Sequence, residues 1–143
     1  MTGQRRLELH VDLVAPFGNA IRKAYLSNAR TRSLQPGNIL YFYRSQDLRA
    51  VTTVGVVENT LVSESVEEIA AFVGSRTVYS LQQIRELAQG PVLSILFRQD
   101  RHLSAPIFAT ELVDNFVAGR APQQISAIRP EGSQWIRAQV TER

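Results

Sequence analysis

The sequence predicts an α+β fold, a small β-barrel decorated with short α-helices, in a single domain over residues 1–143. Three observations lead there. Residues 7–14 alternate, with Leu7, Leu9, Val11 and Leu13 on one parity and Glu8, His10 and Asp12 on the other, the pattern of a half-buried strand. A turn signal, Pro36-Gly37-Asn38, stands directly before an aromatic run, and a β-branched run follows it. Two Ser-x-x-Glu/Gln signatures then open helices at intervals too irregular for repeated βαβ units.

In chain order, Pro16 and Gly18 end the first strand, and Asn19 caps a short helix over residues 19–27 that carries Ile21 and Tyr25. Residues 39–44 form the aromatic strand, Tyr41 and Tyr43 on one face and Leu40 and Phe42 on the other. Residues 50–57 form the next, where Gly55 marks a bend or a close approach of backbone or ligand. Ser65 with Glu68 opens a helix over 65–73, and Ser80 with Gln83 opens another over 81–89, stopped by Gly90 and Pro91. Residues 76–79 form a short extended piece between them. Residues 92–98 are a continuous apolar strand, and Ile107 and Phe108 a shorter extended segment. Thr110 opens one turn through Leu112 and Phe116. Pro122 suits the first position of a helix carrying Ile125 and Ile128, and residues 131–140 read as a weaker helix or strand.

Composition narrows the function classes. A hydrophobic fraction of 44% and a charged fraction of 20% are those of a globular domain. No apolar run approaches the ~18 residues of a membrane span, and no secretory h-region follows Arg5 and Arg6. The absence of cysteine excludes disulfides, thiolate metal sites and cysteine nucleophiles, and fits a cytoplasmic protein. His10 and His102 lack metal-ligand spacing, no phosphate-loop or serine-hydrolase motif is present, and no cofactor or metal is expected. The net charge is +3, and the excess sits in residues 1–49, where eight cations face three acids. Arg22, Lys23, Arg30, Arg32 and Arg44 form a candidate phosphate track, since guanidinium suits bidentate phosphate contacts.

The residues Ala20-Ile21-Arg22-Lys23-Ala24-Tyr25, Ser27-Asn28, Pro36-Gly37-Asn38 with the strand ending Tyr43-Arg44-Ser45, and Thr53-Val54-Gly55-Val56-Val57-Glu58 resemble the PUA-like superfamily, closest in layout to its EVE-type members. Those carry a Val-Arg-Asn-Tyr-like helix start, a Gly-Asp turn, an apolar-aromatic strand ending in Tyr-x-Ser and a returning Val-Gly-x-x-x-Val strand. Here Asn38 stands for the acid of the turn, Lys23 for the asparagine, and the only tryptophan is Trp135. The specific match covers the first 40% or so of the chain; later segments match in order more than in motif. The resemblance implies a nucleic-acid-binding module, RNA or DNA, with a pocket for a modified base. It also implies the acetyltransferase-like domains to which some such modules are fused as a possible partner.

The candidate site follows from both readings. Arg22 and Lys23 would hold a phosphate or a base edge at the mouth. Tyr25, Tyr43 and Tyr79 would offer stacking faces, and Ser45 and Thr53 hydroxyls for polar edges. Arg44 and Arg76 would add cations. The family crossover implies that Arg22, Lys23, Tyr43, Ser45 and Thr53 meet in one concavity. Two alternatives stand beside this reading. One is a small hydrolase of modified nucleosides similar to ASCH-type relatives, with Lys23, Thr52 or Thr53, and Glu58 in the roles of lysine, threonine and glutamate. The other is a regulatory domain binding a metabolite or protein.

Overall fold

A computed structural model describes residues 7–11, 22–30, 34–76, 79–122 and 125–143; of 7–11 and Arg22 it describes the backbone alone. The strands are β1 (Leu7–Val11), β2 (Arg22–Ser27), β3 (Ile39–Arg44), β4 (Ala50–Ser63), β5 (Val92–Phe108) and β6 (Ser126–Ala127). The helices are α1 (Val66–Val73), followed by a 3-10 turn at Gly74–Arg76, α2 (Leu81–Leu87), α3 (Ala109–Asp114) and α4 (Pro130–Glu142). One six-stranded sheet runs in the order β2-β5-β4-β3-β1-β6. Pairing is antiparallel except between β1 and β3.

The turn before β3 forms as its residues dictate. Gly37 adopts φ 92°, which favours glycine. Asn38 is buried, and its Oδ1 accepts from Gln35 N at 3.0 Å while its backbone carbonyl accepts from Val57 N at 2.9 Å. Both helix signatures act. Ser65 Oγ accepts from Glu68 N at 3.2 Å, although the Glu68 carboxylate turns to Ser63 Oγ instead of closing the box. Ser80 and Gln83 close theirs, at 3.1 and 2.8 Å.

The sheet is buried on both faces. On one face Leu40, Phe42, Val57, Leu93, Ile95 and Phe97 pack with Ala29, Leu34 and Ile125. The other face carries two helical covers. Tyr41, Tyr43, Val51, Val54 and Ile107 lie under Leu112 of α3 and Ile136 of α4. Leu26 and Val92 lie under Ile69 and Val73 of α1 and Ile84 of α2. Gly55 is the close approach expected of it. A Cβ there would meet Phe42 Cε2 at 2.9 Å and Phe97 Cδ2 at 3.2 Å, and those two rings pack with centroids 4.6 Å apart.

The structure corrects several expectations. Residues 22–27 are strand, not helix. Ala24 and Leu26 pack under α1 and α2 while Tyr25 joins the opposite cluster, a period of two imposed by pairing with the apolar strand β5. Residues 19–21 lie outside the described residues, as do 12–14 of the expected first strand and Thr77 and Val78 of the extended piece. The expected strand at 92–98 and the segment at Ile107 and Phe108 are one continuous strand. Its polar middle, Gln99 to His102, keeps pairing with Thr53 to Gly55 through register shifts. Pro122 does not open a helix. Ser126–Ala127 pairs with β1 instead, and the helix begins at Pro130. No pairing among the described residues joins β2 to β6, so the sheet is open where a closed barrel was expected.

Candidate functional site

Cross-strand partners share a face of a sheet, and neighbours along a strand do not. That rule sorts the candidate residues. Lys23 pairs with Phe97 and Thr53 with Phe42, so both lie on the face of the Phe42–Phe97 cluster. Tyr25 packs against the same cluster. Tyr43 follows Phe42 and points the opposite way, into the core beneath α3 and α4, where it is 1% exposed. The expected meeting of Lys23, Tyr43 and Thr53 in one concavity therefore does not occur. A ring packed on both sides offers no face to a base, and Tyr43 is a core residue.

The other candidates are scattered. Arg44 is half-buried and paired with Asp47, and Ser45 opens the turn beyond it. Arg76 Nη1 lies 3.0 Å from Glu58 Oε1, so this arginine ties the 3-10 turn to β4. Tyr79 packs beside α1 and α2. The backbone of Arg22 pairs with that of Arg98. Lys23 is held below the ordinary lysine pKa by partial burial.

One polar chain crosses the β4–β5 ladder. Thr53 is fully buried, and its Oγ1 lies 2.9 Å from His102 Nδ1 and 3.3 Å from Thr52 Oγ1. Gln99 Nε2 lies 2.8 Å from His102 Nε2, while Gln99 Oε1 is buried with no hydrogen-bond partner among the described residues. With the Gln99 amide donating, the neutral imidazole carries its proton on Nδ1 and donates to Thr53. The reverse amide would bury an unpaired NH₂ in place of one carbonyl oxygen, a worse loss. In that arrangement His102 donates toward the buried Thr53 hydroxyl. Of the residues of the hydrolase alternative, Thr52 and Thr53 are adjacent in β4, Lys23 lies on β2 beyond β5, and the Glu58 carboxylate is engaged by Arg76.

What the described surface does offer is unpaired guanidinium. Arg98 and Arg101 are exposed, and their ladder partners, Val56 and Val54, share one face of β4. Among the described residues neither has a carboxylate within ion-pair distance, in contrast to Arg44, Arg76 and Arg143 with their acids. Arg137, exposed on α4, acts on Tyr41 of the same face, whose phenol burial pushes up to about 12, the arginine pulling weakly the other way. Open grooves lie among the described residues. One, of about 670 Å³, is lined by residues 118–122 with Ser126, Ala127 and Arg129. Another, of about 660 Å³, lies between Arg30 and residues 86–91, where Asn28 Nδ2 spends its protons on the carbonyls of Leu87 and Pro91 at 2.9 and 3.0 Å. Sequence reasoning did not single out Arg101, Arg120 or Arg129. Their lack of acid partners becomes visible only in three dimensions. Among the described residues no group of three His, Asp or Glu could hold a metal, and no helix is long and apolar enough to cross a membrane.

The chain matches no protein-family model and no curated protein sequence. Solved structures do share its backbone. An ASCH protein from Zymomonas mobilis superposes with a TM-score of 0.75 at 18% identity, over 94% of this chain and 96% of that one. Its serine-to-alanine variant gives the same TM-score, identity and coverage. A protein from Agrobacterium tumefaciens follows at a TM-score of 0.57 and 11% identity, over 92% of this chain and 90% of that one. At these identities the likeness is one of fold: this chain shares the backbone architecture of that ASCH protein.

Proposed function

We propose that this protein is a non-catalytic PUA-like module that binds nucleic acid through its phosphates. The observation that carries the reading is the pair Arg98 and Arg101, exposed on one face of β5 without acid partners. Unpaired, exposed guanidinium groups on a rigid ladder attract phosphate oxygens and release counterions on binding. The backbone of Arg22 pairs with that of Arg98, and Lys23 follows it on the opposite face of β2. RNA or DNA as the ligand and an acetyltransferase-like partner domain belong to the same reading as expectations from the resemblance to PUA-like modules, and a cytoplasmic location as one from the absence of cysteine.

Two numbers test the proposal. The logarithm of the binding constant for a short oligonucleotide should fall linearly with the logarithm of salt concentration, with a slope near −3 to −4 for roughly four neutralised phosphates. Arg98→Ala with Arg101→Ala should make that slope shallower by about 2 while leaving the melting temperature within about a degree, since both side chains are exposed. Binding with no salt dependence, or a slope unchanged by the double substitution, refutes it.

A further inference from the structure

The segment after α3 holds an aromatic residue in a costly place. Phe116 has φ 62°, a left-handed conformation that a bulky side chain rarely adopts, and its ring is 63% exposed. The local hydrogen bonds explain the backbone. Val117 N donates to Leu112 O at 2.9 Å and Phe116 N to Val113 O at 3.2 Å, the two bonds of a Schellman motif with Phe116 at the position where glycine is preferred. Val117 and Leu112 complete the motif as buried core residues. The turn therefore needs a left-handed residue there but has no structural use for an exposed phenyl ring.

The same segment leads into the groove of about 670 Å³. Val117 O accepts from Arg129 N at 3.1 Å, so Phe116 and Arg129 are held one residue apart across the turn. The Arg129 guanidinium lies directly against Gly119, where any side chain would collide with it. Arg120 lines the groove beside it, and among the described residues neither arginine has an acidic partner. An exposed ring after α3 and, in the groove that follows it, two guanidinium groups with no acidic partner among the described residues match the two halves of a nucleotide.

We infer that this turn is a single-strand nucleic-acid contact, with an unstacked base on Phe116 and its phosphate on Arg120 and Arg129. The inference rests on the nucleic-acid reading above and goes further by placing a base-stacking contact at a named residue. A single strand is the occupant because a base inside a duplex has no free face to stack. The groove charge suits its backbone. Strain kept at an exposed aromatic is a mark of function where a glycine would serve the turn better.

The test uses the full chain with fluorescently labelled oligouridylate and oligothymidylate and their duplex forms. Phe116→Gly should raise the melting temperature, by roughly 2–5 °C, because it relieves the left-handed strain. It should weaken single-strand binding about tenfold, the loss expected of one stacked base. Phe116→Leu, which keeps the strain and the apolar character but not the ring, should weaken binding similarly without the thermal gain. Arg129→Ala should make the salt slope shallower by about 1. If the Arg98 and Arg101 substitutions weaken binding while Phe116→Gly and Arg129→Ala do not, the nucleic-acid reading stands and this contact is overturned. Duplex binding as tight as single-strand binding, and equally indifferent to Phe116, overturns it as well. If the unaltered chain binds none of the probes, both fail together.

Discussion

Phe42→Ala should cost about 3–5 kcal/mol of unfolding free energy, the range for truncating a buried aromatic. Phe42 is fully buried at the centre of β3, and its ring rests on Phe97 with centroids 4.6 Å apart. The neighbours cannot collapse into the space easily, because Leu40 and Val57 are fixed by the β3–β4 ladder. Urea denaturation measures the loss directly through the midpoint, provided the slope is unchanged. The same substitution should couple to Gly55. In the unaltered chain Gly55→Ala drives a methyl to 2.9 Å from Phe42 Cε2. In the Phe42→Ala background that closest clash is gone, leaving Phe97 and the Arg98 carbonyl at 3.2 Å. The two substitutions together should therefore cost less than their sum. Strict additivity would show that Gly55 is there for another reason, such as the bulge in β4.

Gly132→Ala should destabilise by at least about 2 kcal/mol, the scale of overpacking a rigid contact. In an exposed helix the change from glycine to alanine gains up to about 1 kcal/mol, so the expected sign is reversed. The reason is local. Gly132 is buried in the first turn of α4, and a Cβ there would lie 2.5 Å from the carbonyl carbon and oxygen of Phe116 and from Val117 N. These are backbone atoms of the Schellman turn and cannot swing aside as a side chain end can. Thermal unfolding checks the sign, and a stabilised variant would show that α4 and the turn stand further apart than described. The turn that carries Phe116 is thus seated on α4, and Gly132→Ala should also disturb the groove.

Much of the architecture was legible in the chain because it is encoded locally. The alternation around Leu9, the turn at Pro36-Gly37-Asn38, the tyrosine strand and the two serine caps each depend on residues within a few positions of one another. Each formed where the pattern placed it. The mis-assigned elements are those whose conformation depends on distant partners. Residues 22–27 carry alanine, tyrosine and leucine at spacings that serve either a helix or a strand, and the edge of β5 decided for strand. Gln99 to His102 look like a loop by polarity, yet β4 supplies a ladder across them. Pro122 and Pro130 are both suited to start a helix, and pairing of Ser126–Ala127 with β1 selected the second.

By itself the sequence determined a mixed domain with a basic excess, free of thiols, built around an aromatic strand whose alternate residues face opposite ways. It offered Tyr43 as a face for a ligand, and the structure puts that ring in the core. Whether Tyr43 faces a ligand or a core depends on which face of the sheet the helices α3 and α4 cover, and that is a long-range fact. Whether an arginine is available depends on whether a carboxylate folds back onto it, as happens at Arg44, Arg76 and Arg143 and, among the described residues, not at Arg98, Arg101 or Arg129. The left-handed backbone of Phe116 is a property of the turn between Leu112 and Val117 seated on Gly132. Local patterns fix elements because the interactions that make them are short in sequence. Only tertiary packing could decide which side chains remain exposed and unpaired, because burial and charge pairing join residues far apart in the chain.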